Sequence, residues 1–321
     1  MPLTFDLSLD DLYTYEGRNP RPDDFDNYWD EGVARMRAVD PNPERIPAAF
    51  QTDFAACSHF WFTGINGARV HAKLLEPTNP APGHPGIVMY HGYSGDSGGW
   101  LEKLGWVAAG FTVAALDCRG QGGLSEDPGG TKGTTLRGHI VRGLSDEGPE
   151  HLAYRSIFLD AAQLAGLVME MDDVDPDRVG VTGGSQGGGL SIAAAALEPR
   201  VKQAAPVFPF LTDYRRTWEM DLTVNAYQEL RDWFRKYDPQ HKREDAAFAR
   251  LGYIDVQHLA PRIRAEVMMF TGLMDQICPP STQFAAYNKI TSPKSVEFFP
   301  DFGHEALPGS SEMIFEFMQQ L

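Results

Sequence analysis

Cysteine is scarce in this chain. Cys57, Cys118 and Cys278 are its only three in 321 residues. An odd count at such wide spacing suggests neither a disulfide framework nor a zinc site. Reduced thiols in a cytoplasmic protein are the simple expectation. Long apolar runs are absent too, so no segment of the roughly 18–20 residues needed to span a bilayer is expected. The start, Met1-Pro2-Leu3-Thr4-Phe5-Asp6, has no basic n-region and no apolar h-region. It reads as mature sequence without a secretion signal. Positive charge is in deficit: 28 Lys and Arg against 44 Asp and Glu give a formal net charge of −16. Such a surface repels nucleic acid and anionic lipid and favours neutral or cationic small substrates. The rest is ordinary for a globular chain, with 42% hydrophobic and 22% charged residues and no repeat or low-complexity tract. The length allows one large α/β domain or two small ones.

The hydrophobic pattern alternates between strand and helix. Residues 1–58 read as an N-terminal extension. Within it Tyr28, Trp29, Val33 and Met36 form one helical stripe after Pro22-Asp23-Asp24-Phe25-Asp26. Residues 59–75 read as a hairpin turning at Asn66-Gly67, a pair suited to a two-residue turn. Strands are predicted at 87–90, 111–116, 179–184, 203–208, 267–270 and 296–299. The run Ile87-Val88-Met89-Tyr90 is continuously apolar, as in a strand covered on both faces. Helices are predicted at 99–108, 152–171, 190–197 and 310–320. Residues 211–262 break the alternation with charge and aromatics and read as a helical insertion over the C-terminal edge of the sheet. The fold class is therefore α/β, a mostly parallel sheet with helices on both faces in one domain over 1–321.

One stretch carries the chemistry. Val179-Gly180-Val181-Thr182 leads into Gly183-Gly184-Ser185-Gln186-Gly187, and Leu190–Leu197 follows as a helix. A serine between glycines at a strand-to-helix junction is a nucleophile elbow. The plainer alternative is a glycine-rich turn or a phosphate loop. However, the run lacks the Lys-Ser/Thr of a P-loop and the spacing and acidic partner of a dinucleotide fingerprint. A serine hydroxyl needs a base, and the base needs an orienting group. Among nine histidines, His304 lies between the last strand and the last helix, at the sheet edge where the serine sits. Asp275 follows the strand 267–270 at once and keeps the order serine, carboxylate, histidine; Asp301 is its rival. Ser185, Asp275 and His304 are the candidate catalytic residues. The loop His91-Gly92-Tyr93 follows an early strand, so the amides of Tyr93 and Gln186 are the candidate oxyanion hole. His91 itself is expected to hold the loop in shape. Arg119-Gly120-Gln121 follows another strand. Arg119 is expected to form a structural ion pair with a buried carboxylate such as Glu305 rather than to contact substrate, which is the alternative. No metal site stands out, since His304-Glu305 has no second histidine at the zincin spacing.

Arg119-Gly120-Gln121, Gly183-Gly184-Ser185-Gln186-Gly187 and His304-Glu305 together resemble the motif set of the acetyl xylan esterase / cephalosporin C deacetylase family, carbohydrate esterase family 7. Pro22 to Trp29, His91-Gly92-Tyr93, Pro209-Phe210-Leu211 with Arg215-Arg216, and Gly272 through Thr282 also fit. The resemblance covers nearly the whole chain. It implies an α/β-hydrolase fold, with Ser185 as nucleophile, His304 as base and Asp275 as its partner. It implies oxyanion donors at Tyr93 and Gln186 and a methyl-sized pocket walled by Tyr93 and Phe210. It further implies removal of acetyl groups from small sugars and from cephalosporin C without a cofactor, by a cytoplasmic hexamer. The loop 123–143 and the Asp213-Tyr214 pair leave the leaving group open. Two other readings remain: a carboxylesterase or peptidase of the same fold, and a hydrolase-fold protein that binds a ligand without turnover.

Overall fold

The computed structural model describes residues 5–128 and 135–321. The reading of the first four residues, and part of the 123–143 loop, lie outside them. Among the described residues the strands are β1 (Glu44–Pro47), β2 (Ala55–Thr63), β3 (Arg69–Pro77), β4 (His84–Tyr90), β5 (Thr112–Leu116), β6 (Val174–Gly184), β7 (Gln203–Val207), β8 (Glu266–Gly272) and β9 (Lys294–Phe299). They form one sheet in the order β1-β2-β3-β5-β4-β6-β7-β8-β9. The first three strands run antiparallel to their neighbours, and β5, β4 and β6 to β9 are parallel. This is the mostly parallel sheet that the alternation of strand and helix predicts, in the α/β-hydrolase arrangement that the resemblance implies.

The helices are α1 (Leu9–Thr14), α2 (Phe25–Arg37), α3 (Leu104–Ala108), α4 (Ala153–Met169), α5 (Gln186–Leu197), α6 (Tyr214–Glu219), α7 (Gln228–Tyr237), α8 (Glu244–Leu251), α9 (Pro280–Tyr287) and α10 (Ser310–Met318). Neighbouring strand residues feed opposite layers. Val88, Ala114 and Val181 pack under α2, α4 and α5, whereas Ile87, Val113 and Ala205 pack under α3 and α10. Covering both faces is what allows the central strands to be apolar throughout. The α2 stripe is set by Phe25, Tyr28, Trp29 and Met36, and Trp29 stacks on Phe158 of α4 with ring centroids 5.7 Å apart.

Three local expectations change. The β2–β3 hairpin pairs Thr63 with Arg69. Its connection is therefore the five residues 64–68, not a two-residue turn, although Asn66 and Gly67 do take positive φ of 59° and 77°. Residues 99–108 split into a 3₁₀ turn at Leu101–Lys103 and α3. Helix α9, unread in the sequence, is buried along all eight residues. It has no exposed face to set a period, and Pro280 at its first turn is tolerated because the N–H it lacks would have no partner there.

The insertion carries α6, α7 and α8 between β7 and β8 and packs on its own aromatics, Trp218 lying 4.7 Å from Phe234 by centroids. The N-terminal segment is tied to it by buried carboxylates. Asp213, in the left-handed region at φ 47°, accepts from the Tyr15 hydroxyl (2.8 Å) and the Asn19 N–H (2.8 Å). Asp255 is also buried. It accepts from Asp213 N–H (3.0 Å) and Gln257 Nε2 (3.0 Å). Burial, reinforced by the Asp213 charge, pushes the Asp255 carboxyl up to about 7. The folded state therefore keeps a proton that the unfolded chain releases near the ordinary aspartate value. Stability should fall as pH rises from about 4 to about 7, by about 1 kcal/mol per pH unit within that window. Asp255→Asn should flatten this decline in urea titrations at pH 5, 6, 7 and 8. An unchanged slope would reject the assignment.

Candidate active site

The β6-to-α5 turn sets the site. Ser185 sits at φ 58° and ψ −117°, a strained conformation held by flanking hydrogen bonds. Its N–H donates to Val207 O (3.0 Å), and its carbonyl accepts from Phe210 N–H (3.0 Å) and Gly189 N–H (3.1 Å). Two glycines are obligatory here. A Cβ on either Gly183 or Gly187 would collide with the carbonyl oxygen of Tyr90. The turn thus raises the serine by bringing α5 into backbone contact with β4.

Residues read separately in the sequence converge on that serine. His304, in the turn between β9 and α10, places Nε2 2.9 Å from Ser185 Oγ and Nδ1 2.8 Å from Asp275 Oδ2. Asp275 is fully buried, and its other oxygen accepts the N–H groups of Ile277 and Cys278, each at 2.8 Å. Those two bonds fix the carboxylate, which fixes the imidazole. With Nδ1–H donated to Asp275, Nε2 is free to accept the serine proton. Asp301, the rival carboxylate, is exposed in the turn after β9.

Asp275, Cys278 and His304 are the one group among the described residues whose potential metal-ligand atoms gather within 4.8 Å. Their chemistry does not favour an ion. Both Asp275 oxygens are taken by donors, and burial raises the Cys278 thiol well above its ordinary value.

Three loops meet beside the serine. Gln186, fully buried at the first position of α5, forms a reciprocal amide pair with Gln121. Gln121 Nε2 donates to Gln186 Oε1 (2.7 Å), and Gln186 Nε2 donates to Gln121 Oε1 (3.1 Å). Gln121 Oε1 also accepts the Ser94 N–H (2.9 Å), Gln186 Nε2 reaches His91 O (3.2 Å), and the Tyr154 hydroxyl donates to Gln186 Oε1 (2.7 Å). The loops after β4, β5 and β6 are thereby stitched together. His91 is a structural histidine, as expected. Its Nδ1–H donates to Gly92 O (2.7 Å), its Nε2 accepts from Cys118 N–H (3.0 Å), and burial lowers its pKa. The Gln186 N–H, at the helix start, has no acceptor within the helix and is available to a ligand.

Two sequence expectations are corrected. Arg119 does not pair with Glu305. Its Nε and Nη2 form a bidentate pair with Asp160 of α4, at 2.6 and 2.5 Å, with both side chains buried. Glu305 is exposed and accepts the Gly303 N–H (3.1 Å). Gly120 takes a positive φ of 70° that turns the chain from Arg119, facing α4, to Gln121, facing the elbow. Phe210 is only 1% exposed, packed between Tyr93 and Tyr227, so it backs the wall that Tyr93 presents. The half-buried Phe208, not singled out in the sequence, has its ring 4.5 Å from His304.

The acetyl xylan esterase (AXE1) family matches residues 1–321. The chain belongs to the acetyl xylan esterase family. It is thus placed among carboxylic ester hydrolases. It is 54% identical to acetyl xylan esterase 1 of Thermoanaerobacterium sp. JW/SL YS485, with a TM-score of 0.95 over 98% of this chain and 99% of that one. Acetyl xylan esterase from Paenibacillus sp. R4 is 35% identical, with a TM-score of 0.91 over 98% and 99%. Acetyl esterase Axe7A of Xylanibacter ruminicola is 29% identical over 157 residues, which are 49% of this chain and 34% of that protein, so the chain spans about a third of that relative's length. Among the described residues no helix is long and apolar enough to cross a membrane.

Proposed function

We propose that this acetyl xylan esterase family member removes acetyl groups from small acetylated carbohydrates, xylo-oligosaccharides among them, and from cephalosporin C, through an acetyl-enzyme on Ser185. The observation that carries the proposal is the unbroken hydrogen-bonded line from Ser185 Oγ through His304 to Asp275, at 2.9 and 2.8 Å. His304 takes the serine proton as Oγ attacks the acetyl carbonyl, and the carbonyl π electrons move onto its oxygen. The main-chain N–H groups of Tyr93 and Gln186 hold that oxyanion. Collapse expels the sugar hydroxyl, which receives the proton from His304. Water then attacks the acetyl ester with His304 again as base, releasing acetate and restoring Ser185. Asp275 keeps the imidazole in its productive tautomer throughout. Tyr93, backed by Phe210, and the Phe208 ring beside His304 favour a small acyl group.

The test is hydrolysis of 4-nitrophenyl acetate, butyrate and octanoate, followed by acetylated xylo-oligosaccharides and cephalosporin C. The expected result is a kcat/KM for acetate at least about tenfold above that for octanoate, the scale on which pockets sort methylenes. If octanoate is the better ester, the small pocket is wrong and a general carboxylesterase is the better description. We also propose the hexamer implied by the resemblance. It is supported by the edge strand β1, exposed along its length, with Ile46, Phe50 and Phe54 at or near it. Sedimentation velocity reads it directly.

A further inference from the structure

The helical insertion sends one carboxylate towards the site. Glu229, in the first turn of α7, is enclosed by the loop after β4 and by residues 138–141. Its Oε2 accepts the N–H groups of Ile140 (2.9 Å) and Val141 (3.1 Å), and its Oε1 accepts the Gly138 N–H (3.3 Å). The Tyr93 hydroxyl donates to the same Oε1 and accepts the His139 N–H at 3.2 Å. A carboxylate withdrawn from water is costly unless its lone pairs are filled. Here they are filled by four donors drawn from two loops that lie far from α7 in sequence.

Tyr93 belongs to the segment His91-Gly92-Tyr93-Ser94-Gly95, whose two glycines leave the backbone free to turn. Several side-chain contacts hold it, among them His91 Nδ1–H on Gly92 O (2.7 Å) and Gln186 Nε2 on His91 O (3.2 Å). Gln121 takes the N–H of Ser94, the peptide after Tyr93. Glu229 takes the hydroxyl at the far end of the Tyr93 ring. The ring is also braced edge-on against His139 at 5.8 Å and tilted against Phe210 at 6.0 Å. The peptide that carries the Tyr93 N–H is held at its Gly92 carbonyl by His91 and Gly95, and Glu229 holds the ring at the residue's other end, so the direction of that N–H is set from both sides. Oxyanion stabilisation depends on that direction, because a donor aimed away from the developing charge contributes little.

We propose that Glu229 is a positioning residue for the oxyanion site, aiming the Tyr93 main-chain N–H through the Tyr93 hydroxyl. The inference rests on the acetyl-ester reading of Ser185 and on Tyr93 as an oxyanion donor. Glu229 touches no substrate in this scheme, since its oxygens are taken by Tyr93 and by the N–H groups of Gly138, Ile140 and Val141. The insertion thereby helps to shape the transition-state site as well as covering the sheet edge.

The experiment compares the parent with Glu229→Gln, Tyr93→Phe and the double variant, using 4-nitrophenyl acetate and phenylboronic acid, which forms a tetrahedral adduct on an active serine. Loss of a whole donor costs about a hundred- to a thousandfold, so misaiming one should cost about tenfold in kcat with KM within about twofold. Both acylation and deacylation pass through an oxyanion, so kcat falls whichever step limits. Each single variant should weaken boronate binding by the same factor, and the double variant should be no worse than either single one. Melting temperatures that fall while kcat and boronate affinity hold would overturn the proposal, because Glu229 would then only fasten the 138–141 loop. Losses that multiply in the double variant would overturn it as well. Should Glu229→Gln fail to fold, Tyr93→Phe decides alone: it keeps the N–H and loses the hydroxyl, and a kcat within twofold of the parent sinks the idea. A parent whose acetate hydrolysis does not depend on Ser185 would overturn the reading of the site itself, which the parent and Ser185→Ala reveal before any Glu229 variant is made.

Discussion

Ser185→Ala is expected to lower kcat for 4-nitrophenyl acetate by at least about a thousandfold while leaving the melting temperature close to that of the parent. The size follows from what the substitution removes. The hydroxyl is the proposed attacking atom, and without it His304 has no proton to take and no acyl-enzyme can form. What remains is the pair of main-chain N–H groups and a bound ester, and such remnants still accelerate hydrolysis by water. The fold should tolerate the change because alanine keeps the Cβ. The positive φ of 58° is already borne by a residue with a Cβ, and the elbow is held by backbone bonds from Ser185 to Val207, Gly189 and Phe210. Because serine and histidine act as a unit, Ser185→Ala combined with His304→Ala should be little worse than either alone. Parent-like activity in Ser185→Ala would remove the nucleophile and the triad together.

Asp160→Ala is expected to destabilise the protein by about 3–5 kcal/mol, the usual cost of leaving one half of a buried ion pair without its partner. Asp160 and Arg119 are 1% and 4% exposed at their side chains and meet through two parallel bonds of 2.6 and 2.5 Å. With Asp160 gone, the guanidinium keeps, among the described residues, the carbonyl of Ile65 at 3.4 Å. Gly64 packs closely against the pair, so that a Cβ there would meet both Asp160 and Arg119. Urea unfolding should show a lower midpoint at an unchanged m-value. The control is Arg119→Met with Asp160→Leu. Removing both charges together should recover most of the loss, as replacing a buried pair by apolar side chains often does. A single-variant loss below about 1 kcal/mol would mean that the pair is hydrated and contributes as a surface bridge does.

The difference between Arg119 and Ser185 shows what a sequence can and cannot carry. Ser185, Asp275 and His304 were legible because each requirement is local: glycines where a Cβ would strike Tyr90, a carboxylate directly after β8, a histidine directly after β9. The sheet was legible because β4 to β8 are buried on both faces, which leaves continuous apolar runs. Arg119 signals a need for a carboxylate but not which one. Asp160 lies 41 residues away inside a helix, whereas Glu305 had only its place in a motif to recommend it. Helix α9 escaped because complete burial erases amphipathic period, and β1 escaped because four exposed residues have no alternation to read. The pairing of Gln121 with Gln186 was invisible for a similar reason. Both residues stand in recognisable motifs, but an amide states no preference for a partner 65 residues away. Glu229 had no signal at all, being one acid among many in a charged insertion.

The position of His304 has a consequence in time. The serine and its base are 119 residues apart, and the base follows β9, the edge strand at the far end of the sheet and the last to be made. As the chain leaves the ribosome, β2 to β7 can pair and bury Ser185's supporting elbow before β9 exists. Long-range parallel pairing is slow, and partly assembled sheets wait with open edges. Throughout that wait the serine has no base and is an ordinary alcohol. On the proposed mechanism, hydrolytic competence therefore waits for the final strand, and the appearance of turnover would mark the completed sheet.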